Sequence, residues 1–325
     1  MTNERRAPFV HHMARPVSLS LDAFIALVPL FLFSTVFFGS RPLLLAFLNM
    51  ATAVLCEAFA CLLLKRKPQI KDGTSLITAL LITGMLSPTA PFWLGMVATT
   101  FAILLVKMAF GGTGRNLFNP AAAGIAFITQ CFPGLIFQYP ESGFEVTNAL
   151  LFQNVSVSPS PASSLQTGGT SSYLWYEFLL GQVPGSIATT AILVLCASMI
   201  FLFVRKSASP AITLSFLATC ALIAIAFPRV EGTWYNSVLL ELCSGYLIFG
   251  AIFLLNDPVT TPNHWLARLF FGIFAGILVM VFRHIGRFEE GLCFAVLLMN
   301  TLSTILDRQC WKLLHNPKRR KEEMA

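Results

Sequence analysis

A helix needs about twenty apolar residues to cross a bilayer, and this sequence is built almost entirely from runs of that kind. They lie near 18–39, 43–64, 74–87, 92–110, 117–132, 186–204, 209–228, 236–255, 266–282 and 290–306. Charged residues make up 11% of the 325 and hydrophobic residues 56%. A soluble domain carries about 25% charged residues, so this chain lacks the charge to cover a soluble surface. The expected fold is all-α and polytopic, with about ten transmembrane helices. A cleaved signal peptide is not expected: the first run is long enough to span, and no small-residue cleavage site stands out.

Charge gives the runs a direction. With the N-terminus in the cytoplasm and alternate crossings, 18 of the 22 Lys and Arg residues fall on the cytoplasmic side. Arg41, Arg229, Arg283 and Arg287 fall on the other. That asymmetry follows the positive-inside rule. Both termini are then cytoplasmic, and the net charge of +7 is an anchoring signal, not a sign of nucleic-acid binding. The expected organisation is a cytoplasmic segment 1–16, a first five-helix half 17–132, an extracytoplasmic loop 133–185, a second half 186–308 and a basic tail 309–325.

Some runs are too short or too interrupted to span. In "KDGTSLITALLITGMLSPTAPFWLGM", Asp72-Gly73 offers a helix start, and about thirteen residues follow before Ser87-Pro88. In "FGGTGRNLFNPAAAGIAF", glycines and Asn119-Pro120 precede a short helix. Irregular backbone at membrane depth is tolerated only inside protein or along a cavity, and a half-helix N-terminus suits an anion or a ligand carbonyl. "FLLNDPVTTPNHWLAR" repeats the break in the second half. Two five-helix halves have opposite orientations, which predicts an inverted repeat with a site near its axis. The alternative is that the glycines and prolines serve tight helix packing alone.

Few ionisable residues lie inside the runs, among them Asp22, Glu57, Lys107 and Glu241. Such groups are expensive in lipid, so Glu57 and Glu241 are candidates for an ion path. The competing reading is that each is paired and merely holds helices together. Eight cysteines form no CxxC pair and read as small buried hydrophobes. The hydroxyl-rich "QTGGTSS" in the long loop reads, on composition alone, as a flexible linker.

Four motifs in order give the chain a resemblance. They are "DGTSLITALLITGMLSPTAPFWLGM", "FGGTGRNLFNPAAAGIAF", "FLLNDPVTTP" and "EEGLCFAVLLMNTLSTILDR". Together they are similar to the RnfD/NqrB family, the flavin-carrying membrane subunits of the Rnf complex and of the sodium-pumping NADH:quinone reductase. The length fits the shorter RnfD type. In that family a threonine of an [S/T]-G-A-T motif carries FMN through a phosphoester. The matching residues are Thr167, Gly168, Gly169 and Thr170, so the resemblance places FMN on Thr170. Gly169 departs from the usual alanine, and Ser164 from the usual acidic residue upstream.

The resemblance further implies electron transfer between ferredoxin and NAD coupled to Na⁺ or H⁺ movement in the bacterial inner membrane. It implies other Rnf subunits as partners, among them a second covalent-FMN subunit and small membrane subunits, together with a flavin transferase. By analogy with the NqrB branch, a non-covalent flavin such as riboflavin is expected near Asp72, Gly73 and Asn119. With no dinucleotide fingerprint and no cluster-ligating cysteines, the chain is not expected to act alone, and no catalytic residue or metal ligand is assigned. The rival is a small-solute channel or secondary transporter on the same helical plan.

Overall fold

The computed structural model describes residues 16–65, 72–141, 157–167, 173–230 and 234–314. It is mostly helical. Among the described residues, three helices are long and apolar enough to cross a membrane: α1 (Pro16–Phe38), α2 (Arg41–Leu63) and α13 (Trp265–Ile285). Helix α11 (Trp234–Cys243) and the stretch Leu247–Leu254 form a further candidate span bent by 63° at its break. That stretch comprises α12 (Leu247–Phe249) and a π-helical segment, Gly250–Leu254. The shorter apolar helices are α3 (Thr74–Met85), α4 (Phe92–Thr100) with its π-helical extension Phe101–Met108, α5 (Pro120–Cys131), α9 (Ile192–Val204) and α10 (Pro210–Ala226). Helix α14 (Leu292–Leu314) closes the described chain and runs past Arg308 into the expected tail. The molecule is thus a multi-pass helical membrane protein.

Helices α3 and α5 have 12 residues each. At about 1.5 Å per residue that is some 18 Å, well short of a bilayer. Proline sets their limits. Leu86 is extended at ψ 152° where α3 ends, and the next residue, Ser87, precedes Pro88 and is itself pushed out of the helical region. Pro120 opens α5 with Asn119 as its cap, and Pro133 follows its end. Both short helices are buried along most of their length, as broken elements at membrane depth must be.

The expected run at 186–204 becomes helical only at Ile192. The residues before it pair with the end of α3: Ile187 N–H donates to Leu86 O at 3.0 Å and Ala188 N–H to Gly84 O at 2.9 Å. The orphan carbonyls of a buried helix end are thereby satisfied from a distant stretch of chain. Elsewhere, α13 lies along α10 with Gly272 and Gly276 at the contact, where a Cβ on Gly272 would sit 2.5 Å from Ile212 O. Small residues spaced by four let the two backbones approach.

A two-stranded antiparallel pair, β1 (Tyr139–Pro140) and β2 (Val157–Ser158), sets Tyr139 opposite Ser158. Helix α6 (Pro133–Ile136) precedes it, and α7 (Pro161–Gln166) and α8 (Trp175–Leu180) follow.

Candidate functional site

Side-chain bonds between elements gather at two ends of the bundle. One end, here the loop face, holds the strand pair, α7 and the α13–α14 turn. The other, the terminal face, holds the start of α1 and the end of α14. There Arg205 Nε donates to Asp22 Oδ1 at 3.0 Å, and Asp307 accepts the backbone N–H groups of Asn263 and His264.

The loop face carries the denser polar cluster. Arg229 grips Glu241 with two parallel bonds, Nε to Oε1 at 2.6 Å and Nη2 to Oε2 at 2.7 Å. Its Nη1 donates to Arg283 O at 2.8 Å. Fully buried Arg283 donates through Nη1 to Glu241 O at 2.8 Å and through Nη2 to Glu290 Oε1 at 2.8 Å and Ser244 O at 2.9 Å. Two guanidinium groups thus face two carboxylates, and the bonds offset much of the cost of burying those charges, although Arg283 Nε and Glu290 Oε2 have no hydrogen-bond partner among the described residues. Gly245 makes room for them. It holds φ +63°, and a Cβ there would fall 1.3 Å from Glu290 Oε1.

Glu289 points the other way, toward the loop. It accepts Tyr139 OH at Oε1, 2.9 Å, and Ser160 Oγ at Oε2, 2.8 Å. Burial, with Glu290 beside it, pushes its pKa up to about 7. Burial and the nearby Glu289 carboxyl raise the Tyr139 phenol well above its ordinary range. Ser160 also caps α7, accepting Ser163 N–H at 3.0 Å. At the other end of α7, Gln166 Nε2 donates to Gly286 O at 3.0 Å. The helix is therefore pinned at both ends to the α13–α14 turn. Thr167, which follows it, is exposed. Gly168, Gly169 and Thr170 lie outside the described residues.

The terminal face holds a second cluster. Lys107 Nζ, buried on the π-helical extension of α4, donates to Thr74 Oγ1 at 2.7 Å and Ser75 Oγ at 2.6 Å, and lies 3.7 Å from Glu57 Oε2. Ser75 also donates to Glu57, and Thr74 meets Thr113 at 3.1 Å. Thr74 and Ser75 open α3 directly after Asp72-Gly73, so Asp72, Gly73 and Glu57 belong to one neighbourhood. Gly73, at φ +68°, is the cap of α3.

Asn119 sits apart from that group, against the second π-helical segment. Its Oδ1 accepts Ala121 N–H at 3.0 Å and Ala122 N–H at 3.2 Å, and its Nδ2 donates to Leu254 O at 3.1 Å. Both π-helical segments, which often mark functional sites, end on this face. Of the two ion-path candidates, Glu57 has one cationic partner and Glu241 has two.

Glu289, Glu290, Tyr139, Ser160 and Arg283 are not among the site residues expected from the sequence. An adjacent Glu pair next to a span, with an arginine inside the helix before it, was the available signal. Tyr139 and Ser160 carry no such mark, because only the strand pair brings them to the turn.

Residues 3–313 match the model of the NQR2, RnfD, RnfE family. Several similar proteins are named as subunits of an ion-translocating oxidoreductase complex. The relative from Stutzerimonas stutzeri is 32% identical, with 90% of each chain covered. The relative from Halorhodospira halophila is 28% identical over 91% of each. The relative from Escherichia coli K12 is 28% identical over 93% of this chain and 94% of its own.

Proposed function

The chain belongs to the NQR2, RnfD, RnfE family, and on that footing we propose that it is the membrane flavoprotein subunit of an Rnf-type ferredoxin:NAD⁺ oxidoreductase. In this reading Thr170 carries FMN as a phosphoester, in the inner membrane, on the extracytoplasmic side. Bound FMN would supply one station for electrons travelling between the other subunits. Na⁺ or H⁺ movement accompanies that transfer.

The observation that carries the reading is the double pinning of α7. Ser160 ties one end to Glu289 and Gln166 ties the other to Gly286. The helix brings exposed Thr167, the first motif residue, to the surface. A transferase working from outside the bilayer needs an accessible hydroxyl, and the described stem delivers the chain to solvent at that point. A redox cofactor in an electron chain must also be held at a repeatable place, and a pinned stem provides it better than a free linker.

Glu57, with Lys107 and Ser75 against it, is the stronger ion-path candidate, because one cation and one hydroxyl leave it more adjustable than Glu241 between two arginines. A non-covalent flavin such as riboflavin would lie near Asp72 and Gly73. Asn119 enters that site only by giving up cap bonds. Partners are the other complex subunits, a second covalent-FMN subunit among them, and the flavin transferase. The ten-span, two-half plan belongs to the same reading: Arg283 at the end of α13 and Lys107 near the end of the π-helical extension of α4 play matching roles at opposite faces.

The test is intact mass and in-gel flavin fluorescence of the subunit purified from a host with the transferase. One FMN adduct, lost in Thr170→Ala, supports the proposal. A colourless, unmodified chain would favour the transporter reading.

A further inference from the structure

All five tryptophans are exposed, with 45% to 65% of their surface open. Tryptophan is usually highly buried, so its consistent exposure here requires a cause. The five divide by end. Trp93 adjoins Phe92, whose ring lies 4.4 Å under the Arg41 guanidinium that binds the 88–90 turn at the loop face. Trp234 opens α11, which carries Glu241 of the loop-face cluster. Trp175 opens α8, and Gly181 just after α8 lies against Thr190 and Ala191 at the start of α9. Trp265 and Trp311 belong to the terminal face, one beside His264 and the other a turn beyond its partner Asp307.

Helix α8 is the informative case. Leu174, Trp175, Tyr176 and Leu180 are exposed, while Phe178 is fully buried beneath them. The Glu177 carboxylate accepts Leu174 N–H at 2.7 Å and so caps the helix. Trp175 and Tyr176 pack edge to face at 6.1 Å and 86°. Trp234 and Tyr235 repeat that pairing on a separate element, at 6.0 Å and 85°. Helix α9, against which α8 packs, exposes Leu193, Ile200 and Val204.

We propose that α8 is a lipid-interface anchor. Trp175 and Tyr176 sit in the headgroup layer, and Leu174 and Leu180 reach the edge of the hydrocarbon. Indole and phenol suit that layer because each has an apolar body and one polar tip. Two observations select lipid over a protein partner. Four side chains fall short of the roughly 800 Å² per partner of a stable protein interface, and α9, against which α8 packs, presents an apolar outer surface of its own. Helix α7 is then tied to protein and α8 to the membrane.

The inference rests on the membrane location of the chain and not on the flavin ester, so its test uses the full-length Thr170→Ala variant, which carries no Thr170 flavin. The variant and its Trp175→Phe derivative are reconstituted in phosphatidylethanolamine–phosphatidylglycerol vesicles, with or without lipids brominated near the headgroup end of the acyl chain. The difference in emission between the two proteins reports Trp175. Loss of most of that emission to bromolipid, with little loss to aqueous iodide, is the expected result. Quenching by iodide alone, or by neither agent, would overturn the proposal; the second would show α8 covered by protein. A single-tryptophan chain keeping only Trp175 gives the same reading directly where it folds.

Discussion

Ser160 Oγ donates to Glu289 Oε2 at 2.8 Å, joining the start of α7 to the α13–α14 turn across 129 positions of sequence. The same hydroxyl oxygen caps α7. One serine therefore starts the helix that leads to the motif and fixes where that helix stands. Ser160→Ala should lose both bonds, at about 1–3 kcal/mol for the carboxylate left with one donor fewer. Protease sensitivity of the 157–167 stretch should rise, and flavin attachment should fall without being abolished. Unchanged cleavage and full attachment would show that the bond does not position α7.

Glu289 predicts a pH dependence. Its folded pKa stands near 7 against an ordinary 4.5, with burial the main cause and Glu290 adding to it, while Ser160, Tyr139 and Arg283 favour the charged form. The folded state thus keeps a proton that the unfolded chain releases above about pH 4.5. The stability this proton supplies is fully present below that pH and is lost as pH rises to about 7, with a ceiling of about 3 kcal/mol. The thermal midpoint in detergent should fall across that window, and Glu289→Gln should flatten the slope. A variant with the wild-type slope would assign the dependence to another group.

Arg283 serves two carboxylates, and Arg229 backs only one of them. Arg283→Met should cost about 3–5 kcal/mol by leaving Glu290 buried beside no cation. Adding Glu290→Gln should recover part of that loss, whereas adding Glu241→Gln should recover less, because Arg229 still holds Glu241 in two bonds. Equal recovery from both would contradict this division of partners.

Close packing of α10 on α13 makes Gly272 sensitive. A methyl there would stand 2.0 Å from Ser215 Oγ and 2.5 Å from Ile212 O. The hydroxyl can rotate away, but the carbonyl cannot without separating the helices. Gly272→Ala should therefore lower the melting midpoint in detergent by an amount equivalent to about 1–3 kcal/mol. Gly134→Ala, where nothing lies within 4 Å of the added carbon, should leave it nearly unchanged.

Ion transport separates the two intramembrane glutamates. Glu57→Gln, measured in the assembled complex at matched electron flux, should reduce ion movement more than Glu241→Gln does. If neither variant changes the ratio of ions to electrons, both carboxylates are helix ties and nothing more.

Much of the architecture could be read along the chain. A membrane-crossing helix is specified by a local property, the length of its apolar run, and a broken one by the prolines that end it. For that reason the apolar runs of α1, α2 and α13 match the helices closely, and those of α3 and α5 are visibly short. The late start of α9 is not visible in its run, because residues 186–190 are apolar enough for a helix and are diverted by carbonyls at the end of α3, about a hundred residues earlier in the chain. Nor is the bend in α11–α12, since hydropathy does not register a turn inside an apolar run.

At the sites the same boundary holds. Composition and the order of local motifs were enough to determine a multi-pass helical chain, its candidate flavin threonine and its sparse intramembrane charges, because each is written in adjacent residues. Only the tertiary structure decided that Glu241 lies between two arginines, that Lys107 reaches Glu57, and that Tyr139 and Ser160 converge on Glu289. Those partners are far apart in sequence, and a buried charge takes whichever partner packing brings within hydrogen-bond reach.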